Sequence, residues 1–205
     1  MPASYTITLN SMKIIGLSGT NGAGKDSVAI LLAEKYGFLN ISATNMLVAE
    51  LNKRNWPIDR THKSKLSAEW RREFGMAVIV DKAVDMFNSV STKPSGLVVG
   101  SLRHPGEADR IHELGGKMVW VDADPRVRYD RIQKSLNERS GTHDEANKTF
   151  EEFLAEQERE MHPEGDEATL NMSGVRQKAD LILENNGNDL EVFKNEADKA
   201  LSSLF

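Results

Sequence analysis

"KIIGLSGTNGAGKDSVAILLAEKY", residues 13–36, decides how the rest of the chain is read. An apolar run of strand length leads into glycines at 19, 22 and 24. Lys25 follows, and then an amphipathic run with Val28, Leu31, Leu32 and Tyr36 at helical spacing. Gly19-Thr20-Asn21-Gly22-Ala23-Gly24-Lys25 fits the pattern G-x-x-x-x-G-K, in the strand-before, helix-after context which that pattern requires. Glycines let the backbone turn so that successive N–H groups point inward. The helix N-terminus adds its positive partial charge, and the result is an anion-binding concavity. A triphosphate is the natural guest, with Lys25 reaching the terminal phosphates and neutralising charge as a phosphoryl group moves. Gly19, Asn21, Gly22, Ala23, Gly24, Lys25, Asp26 and Ser27 are therefore the candidate nucleotide-binding residues, and Lys25 is the first candidate catalytic group.

Asp26 stands where a serine or threonine hydroxyl usually ligates Mg²⁺. A carboxylate is a still harder oxygen ligand for that ion. An acid in a first helical turn is also what the helix dipole favours, which leaves Ser27 to supply the hydroxyl. Both readings stay open. Asp26, Ser27 and Asp122 are the candidate metal ligands, Asp122 through Mg²⁺-bound water, while Asp124 is read as a helix cap.

Working outward, further runs of strand length alternate with helical periodicity: "FLNIS" (38–42), "GLVVGS" (96–101), "KMVWVDA" (117–123) and "ADLILEN" (179–185). This alternation predicts an α/β fold in three α/β/α layers around a five-stranded parallel sheet. Between the second and third strands, Leu66, Trp70, Phe74 and Val78 recur at four-residue steps. Pro105 suits a first helical turn that Gly115 closes, and Asp124-Pro125 opens a helix carrying Tyr129, Ile132 and Leu136. Thr149 and Glu152 form a capping box for a helix with Phe150, Phe153, Leu154 and Met161 on its spacing. The last helix runs through Val192, Phe193, Ala197, Ala200, Leu201 and Leu204. Residues 1–12 read as a tail before one domain over 13–205. Two interruptions, about 43–73 and about 138–165, fall where a rigid sheet carries covers for a ligand.

Composition narrows the function classes. With 205 residues, 39% hydrophobic and 28% charged, the chain is an ordinary globular protein rather than a disordered or fibrous one. No apolar run approaches the roughly 20 residues of a membrane span. "MPASYTITLNSM" lacks the basic end and sustained apolar stretch of a secretory signal, and the absence of cysteine fits a reducing compartment, so the cytoplasm is the expected location. A net charge of −5 argues against nucleic acid as a partner. Residues 52–72 nevertheless hold seven basic side chains against two acidic ones, which reads either as a local anion site or as solvated helix faces. Neither Asn-Lys pair continues as N-K-x-D, the guanine-reading signature of GTPases, so an adenine nucleotide is preferred. His143 and His162 have no metal-ligand spacing.

Four blocks give the chain, from Lys13 onward, a resemblance to the P-loop nucleoside monophosphate kinase superfamily. "GLSGTNGAGKDS" resembles its phosphate loop, in the Gly-Lys-Asp form of some phage deoxynucleotide kinases. "ISATNMLVAEL" (41–51) resembles the "ISTGDMLR" stretch that holds the acceptor nucleotide in adenylate kinases. "GSLRHPGEADRI" (100–111) is similar to their "DGFPR" segment, with Arg103 on its phosphate-binding arginine. "VDADPRVRYDRI" (121–132) looks like the strand and helix leading into the lid, with Arg131 matching an arginine near ATP. The last three blocks, with "TFEEFLAEQERE" (149–160) and "ENNGNDLEV" (184–192), resemble still more closely an uncharacterised group of kinase-like proteins and the kinase-like segments of some deoxycytidylate deaminases. Dephospho-CoA kinases share the plan. Val48, Asn45 and Gly100 depart from the adenylate kinase pattern, at a phosphate-gripping arginine, an aspartate and an acid respectively.

The resemblance implies an enzyme that uses ATP and Mg²⁺ to phosphorylate a nucleoside or deoxynucleoside monophosphate. Dephospho-CoA is the competing acceptor, and a non-catalytic ATP-binding regulatory module is the reading from another class. The acceptor is a small phosphorylated molecule, with no membrane or nucleic acid involved, and the protein is a monomer or homodimer. Ser42, Thr44, Asn45, Arg72 and Arg103 are the implied acceptor-binding residues. Arg72 is favoured over Arg54, Arg60 and Arg71 to replace the arginine missing at Val48. Arg103, Arg131 and Arg159 are implied catalytic arginines, with Arg139 beside them on the lid, and Asn186-Gly187 is the turn that lies against adenine. Two of these arginines also have a local reading. Arg103 is spaced to pair with Glu107, and Arg159 with Glu156.

Overall fold

The structure is a computed structural model and describes residues 13–138 and 148–204, without the side chains of 136–138. Arg139, His143, Leu136 as a side chain and the tail 1–12 lie outside the described residues. Five strands, β1 (Lys13–Gly19), β2 (Phe38–Ser42), β3 (Gly96–Gly100), β4 (Lys117–Asp122) and β5 (Leu181–Glu184), form one parallel sheet in the order β2-β3-β1-β4-β5. The helices are α1 (Lys25–Tyr36), α2 (Ala43–Lys53), α3 (Arg60–Phe74), α4 (Val78–Ser89), α5 (Pro105–Glu113), α6 (Pro125–Glu138), α7 (Phe150–Met161), α8 (Met172–Gln177) and α9 (Leu190–Leu201).

The central strands are covered on both faces, which is why they read as unbroken apolar runs rather than alternating ones. Successive residues still point to opposite sides. Leu97, Val99, Met118 and Trp120 enter the core under α2, α3, α4 and α5, joined by Leu51, Leu66, Trp70, Ile79 and Ile111. Val98, Val119 and Val121 enter the other, where Val28 and Leu32 of α1 meet Phe193 and Leu201 of α9. Three layers result, as the sequence predicts.

Register sets the site. Leu17 lies opposite Gly100, Ser42 opposite Gly100 and Gly19 opposite Val121, so every strand delivers its C-terminal end to one edge. The chain leaves β1 toward β2 on one side, while β4 flanks it on the other. Parallel sheets bind ligands in the crevice at such a switch point. Gly19 has φ 141°, and a Cβ there would stand 2.0 Å from the Val121 carbonyl oxygen. Gly19→Ala should therefore cost about 2–3 kcal/mol of stability, read as a lowered urea midpoint at unchanged slope.

Three expected core positions face outward. Phe74 is 56% exposed, at the end of α3, where Gly75 with φ 98° breaks the helix before α4 begins at Val78. Val192 is 52% exposed, since the buried stripe of α9 is Phe193, Ala197 and Leu201. Leu154 is exposed beside the buried Phe153. The helix α8, capped by the Asn171 side chain, was not foreseen, because six residues are too few to show a period.

Candidate active site

The loop between β1 and α1 is held in shape by its neighbours. The Thr20 amide donates to Val121 O at 3.2 Å and the Thr20 hydroxyl to Asp122 Oδ1 at 2.7 Å. The Asn185 amide donates to Ala23 O at 2.8 Å, and Arg128 Nη1 donates to Asn21 O at 3.3 Å. Loop carbonyls are thus engaged from outside. Gly22 and Gly24 take φ values of 79° and 103°, the left-handed region that favours glycine, and no side chain caps α1. Such a turn with an uncapped helix start is a ready anion cradle.

Lys25 folds back onto this loop, its Nζ donating to Thr20 O at 2.6 Å. Burial lowers its pKa to about 8. Arg103 and Arg128 press it in the same direction, and Asp26 and Glu160 oppose them. The ammonium is therefore a charge under electrostatic strain, which an added anion would relieve.

Arg103 follows β3 after Leu102, a fully buried residue whose carbonyl accepts from the Ser18 hydroxyl at 2.6 Å. Ser101 just before it adopts φ 63°, unusual for a residue with a side chain. Glu107, buried on α5, does not pair with the Arg103 guanidinium as its spacing suggests. Its Oε2 accepts from the backbone amides of Arg103 (2.8 Å) and His104 (3.1 Å), and its Oε1 binds the buried Arg71 guanidinium at 2.8 and 3.2 Å. His104 Nδ1 accepts from Gly106 N, so Nε2 carries the proton and donates to Glu167 O, and burial holds the imidazole below its usual pKa. With its backbone so fixed, Arg103 sends its side chain to Glu160 of α7, Nη1 to Oε1 at 2.7 Å.

The basic stretch 52–72 divides. Arg60 reaches the site, pairing with Glu156 and, at 3.2 Å, with Glu160. Arg54 binds Glu50 and Glu69, Arg71 is consumed by Glu107, and Arg72 pairs with Asp166 at 2.8 Å with 55% of its side chain exposed. The structure thus brings Arg60, rather than the favoured Arg72, together with Arg103 and Lys25. Ser42 and Thr44 lie where β2 passes into α2, at the same sheet edge, with Asn45 exposed next to them.

On the other flank, Arg131 donates to Asn185 Oδ1 at 3.2 Å and to the Gly187 carbonyl, while Asn186 Oδ1 accepts from the Asp124 amide at 2.6 Å. Arg131 Nη1 is buried without a hydrogen-bond partner among the described residues. Arg159 sits on the exposed face of α7, and Glu156 binds Lys148 and Arg60 rather than Arg159. Asp26 is exposed and Ser27 half-buried in the first turn of α1. Both oxygens of Asp122 already accept hydrogen bonds, Oδ1 from Thr20 and the Ala123 amide, Oδ2 from Trp120 Nε1. No group of three or more metal-ligating side chains occurs among the described residues. Mg²⁺ bound with nucleotide needs only one or two protein oxygens, which Asp26 and Ser27 fit.

Arg128 escaped the sequence reading. Its side chain is buried, donating to Ala123 O at 2.7 Å, to Asn21 O and to Gln157 Oε1, with the guanidinium 5.3 Å over Phe153. The available signal was its place one turn before Arg131 and Ile132 on a helix that starts at the strand edge. A shallow cleft opens between this arginine, Thr20, Asn21, Arg60, Glu160 and Met172.

Comparison with known proteins bears on the family and the fold. Residues 15–159 match the family model described as AAA domain. A UPF0200 protein of Thermococcus kodakarensis is 26% identical over 195 residues, covering 93% of this chain and 97% of that protein. A cytidylate kinase of Methanocella arvoryzae is 32% identical over 130 residues, 60% of this chain and 63% of that one. The solved shikimate kinase of Bacteroides thetaiotaomicron superposes with a TM-score of 0.56 at 15% identity, over 93% of this chain and 99% of its own, which is a likeness of fold. No helix among the described residues is long and apolar enough to cross a membrane.

Proposed function

Because the chain belongs to the AAA domain family and is a P-loop nucleoside monophosphate kinase-like protein, we propose that it transfers the γ-phosphoryl group of ATP to a nucleoside or deoxynucleoside monophosphate. One observation carries this reading. Beside the phosphate loop there is a second anion seat, where Arg103 Nη1 and Arg60 Nε converge on a single carboxylate oxygen at 2.7 and 3.2 Å. A module that only senses ATP has no use for a second seat.

Phosphoryl transfer asks a protein for alignment and charge neutralisation more than for covalent chemistry. An acceptor phosphate oxygen forms the new P–O bond as the bond from the γ-phosphorus to the bridging oxygen of the β-phosphate breaks. Gly19 to Gly24 cradle the donor phosphates, and Lys25 turns from Thr20 O to meet the transferring group. Arg60 and Arg103 fork onto the acceptor phosphate, a geometry suited to guanidinium. Arg131 offers its unpartnered nitrogen to the nucleotide, with Asn186 and Gly187 behind it. Asp26 and Ser27 would hold Mg²⁺, which supplies charge neutralisation between the phosphates when bound. Arg128 and Phe153 close the cleft and keep water from the reacting atoms. We assign the protein to the cytoplasm on its lack of cysteine.

The test is a panel of ribo- and deoxyribonucleoside monophosphates, shikimate and dephospho-CoA, each with ATP and Mg²⁺, followed by ADP release. Turnover with at least one monophosphate, well above hydrolysis without acceptor, is expected. Transfer to dephospho-CoA or shikimate alone rejects the acceptor class, and binding without transfer to any of them leaves a regulatory module.

A further inference from the structure

Glu160 holds an unusual place for a glutamate. It lies in the last turn of α7, and its Oε1 alone is shared by the Arg103 and Arg60 guanidinium groups. One turn earlier Glu156 binds Arg60 and Lys148. The helix cannot roll these carboxylates away at no cost. Phe153 is buried against the Tyr129 ring at 5.7 Å and under the Arg128 guanidinium, and Gln157 accepts from Arg128. Phe153, Glu156, Gln157 and Glu160 share one face, so the packing of Phe153 aims both acids at the mouth of the phosphate loop. The Arg103 and Glu160 side chains are 31% and 16% exposed, too sheltered to be dismissed as a solvated surface pair. Around them stand Lys25, Arg60 and Arg128, with Asp26 and Glu156 as the other acids nearby.

We propose that Glu160 is an internal stand-in for the acceptor's phosphate, occupying the Arg60–Arg103 seat until a phosphate monoester dianion exchanges with it. This rests on the acceptor reading above and adds its regulation. A rotation of the Glu160 side chain frees Arg103 Nη1 and Arg60 Nε, while Glu156 keeps its own hold on Arg60 Nη1. The exchange is unequal: a phosphate dianion brings two charges and three oxygens to Arg103 Nη1 and Arg60 Nε, the two donors that Glu160 meets with one charge and one oxygen. A free carboxylate brings nothing that the tethered one lacks, and the tether gives Glu160 an effective concentration on the order of millimolar. Simple carboxylates below that level are thus kept out, while phosphate monoesters enter with an apparent affinity reduced by the fraction of time the seat stands open.

Inorganic phosphate is the probe, titrated calorimetrically into the protein with MgADP present to fill the phosphate loop. In Glu160→Gln phosphate should bind roughly tenfold tighter than in wild type, acetate should become a detectable competitor, and Arg103→Ala in the same background should erase the gain. Glu160→Ala should show the same gain and serves if the amide variant is poorly folded by circular dichroism. An unchanged or weaker phosphate affinity in both folded variants overturns the proposal. If the gain appears but wild type phosphorylates no monophosphate, the stand-in survives and the kinase reading falls. If monophosphates are phosphorylated with an acceptor KM unaltered by Glu160→Gln, the reverse holds.

Discussion

Replacing Lys25 with methionine should cut turnover by about three orders of magnitude and, in the same protein, raise the melting temperature. The first effect follows from removing the one ammonium that can travel with the transferring phosphoryl group, since fixed charges of this kind contribute roughly 10²–10³ or more in rate. The second follows from the price of keeping that ammonium. Its pKa of about 8 lies below the ordinary lysine value, so the folded state at neutral pH holds a proton it would more readily lose. Methionine keeps the apolar stem and drops the charge. Allowing for the lost bond to Thr20 O and for partial solvent access, the gain is about 1 kcal/mol, or roughly 2–4 °C. The pH dependence has a definite sign. Between pH 8 and 10.5 the unfolded chain keeps the Lys25 proton and the folded one has released it, so wild-type stability gains a rising contribution there, and Lys25→Met lacks it. Over the same range kcat/KM for ATP should fall tenfold per pH unit, because the free enzyme has lost its cation. A melting temperature lower than wild type, or a flat profile through pH 9, would contradict the picture of a strained ammonium.

Arg103→Ala should lower kcat/KM for the acceptor about a hundredfold while changing the KM for ATP by less than about threefold. Its guanidinium reaches the second anion seat, whereas the phosphate loop is shaped by Thr20, Asn185 and Arg128 without it. Charge-assisted bonds to a sheltered phosphate are worth roughly 2–3 kcal/mol, which sets the factor. The backbone contacts of residue 103 to Glu107 and Asn171 do not depend on its side chain, so the variant should fold with a melting temperature near that of wild type. Initial-rate kinetics with each substrate varied in turn separate the two constants. Equal losses for ATP and acceptor would mean that Arg103 serves the donor or the fold rather than the acceptor.

The sheet, the phosphate loop and the helix caps were legible because each is a local rule. Strand and helix periods, the Gly-Lys spacing and the Thr149–Glu152 box are all written within a few residues, and each has its expected form in the structure. The arginines were harder because their partners are remote. Arg103 and Glu107 sit at helical spacing, yet Arg71, thirty-six residues away, takes that carboxylate. Nothing local separates Arg60 from Arg72. Arg60 is chosen because it opens α3 opposite the acids of α7, whereas Arg72, near its end, meets Asp166. Arg128 was missed for a similar reason: a buried arginine looks like any surface arginine until Phe153 and Gln157 are seen to cover it.

The Arg71–Glu107 contact also bears on how such a chain can change over generations. Either residue alone, exchanged for an uncharged one, would strand its partner's charge in the interior at a cost of about 3–5 kcal/mol, comparable to much of a small protein's stability. Losing both together, in favour of well-packed apolar groups, strands no charge but releases the two amides that fix the Arg103 backbone, at about 1–3 kcal/mol for each donor left buried and unpaired. Inherited drift at positions 71 and 107 is therefore coupled, and the lineage can cross between the two states only by a double step.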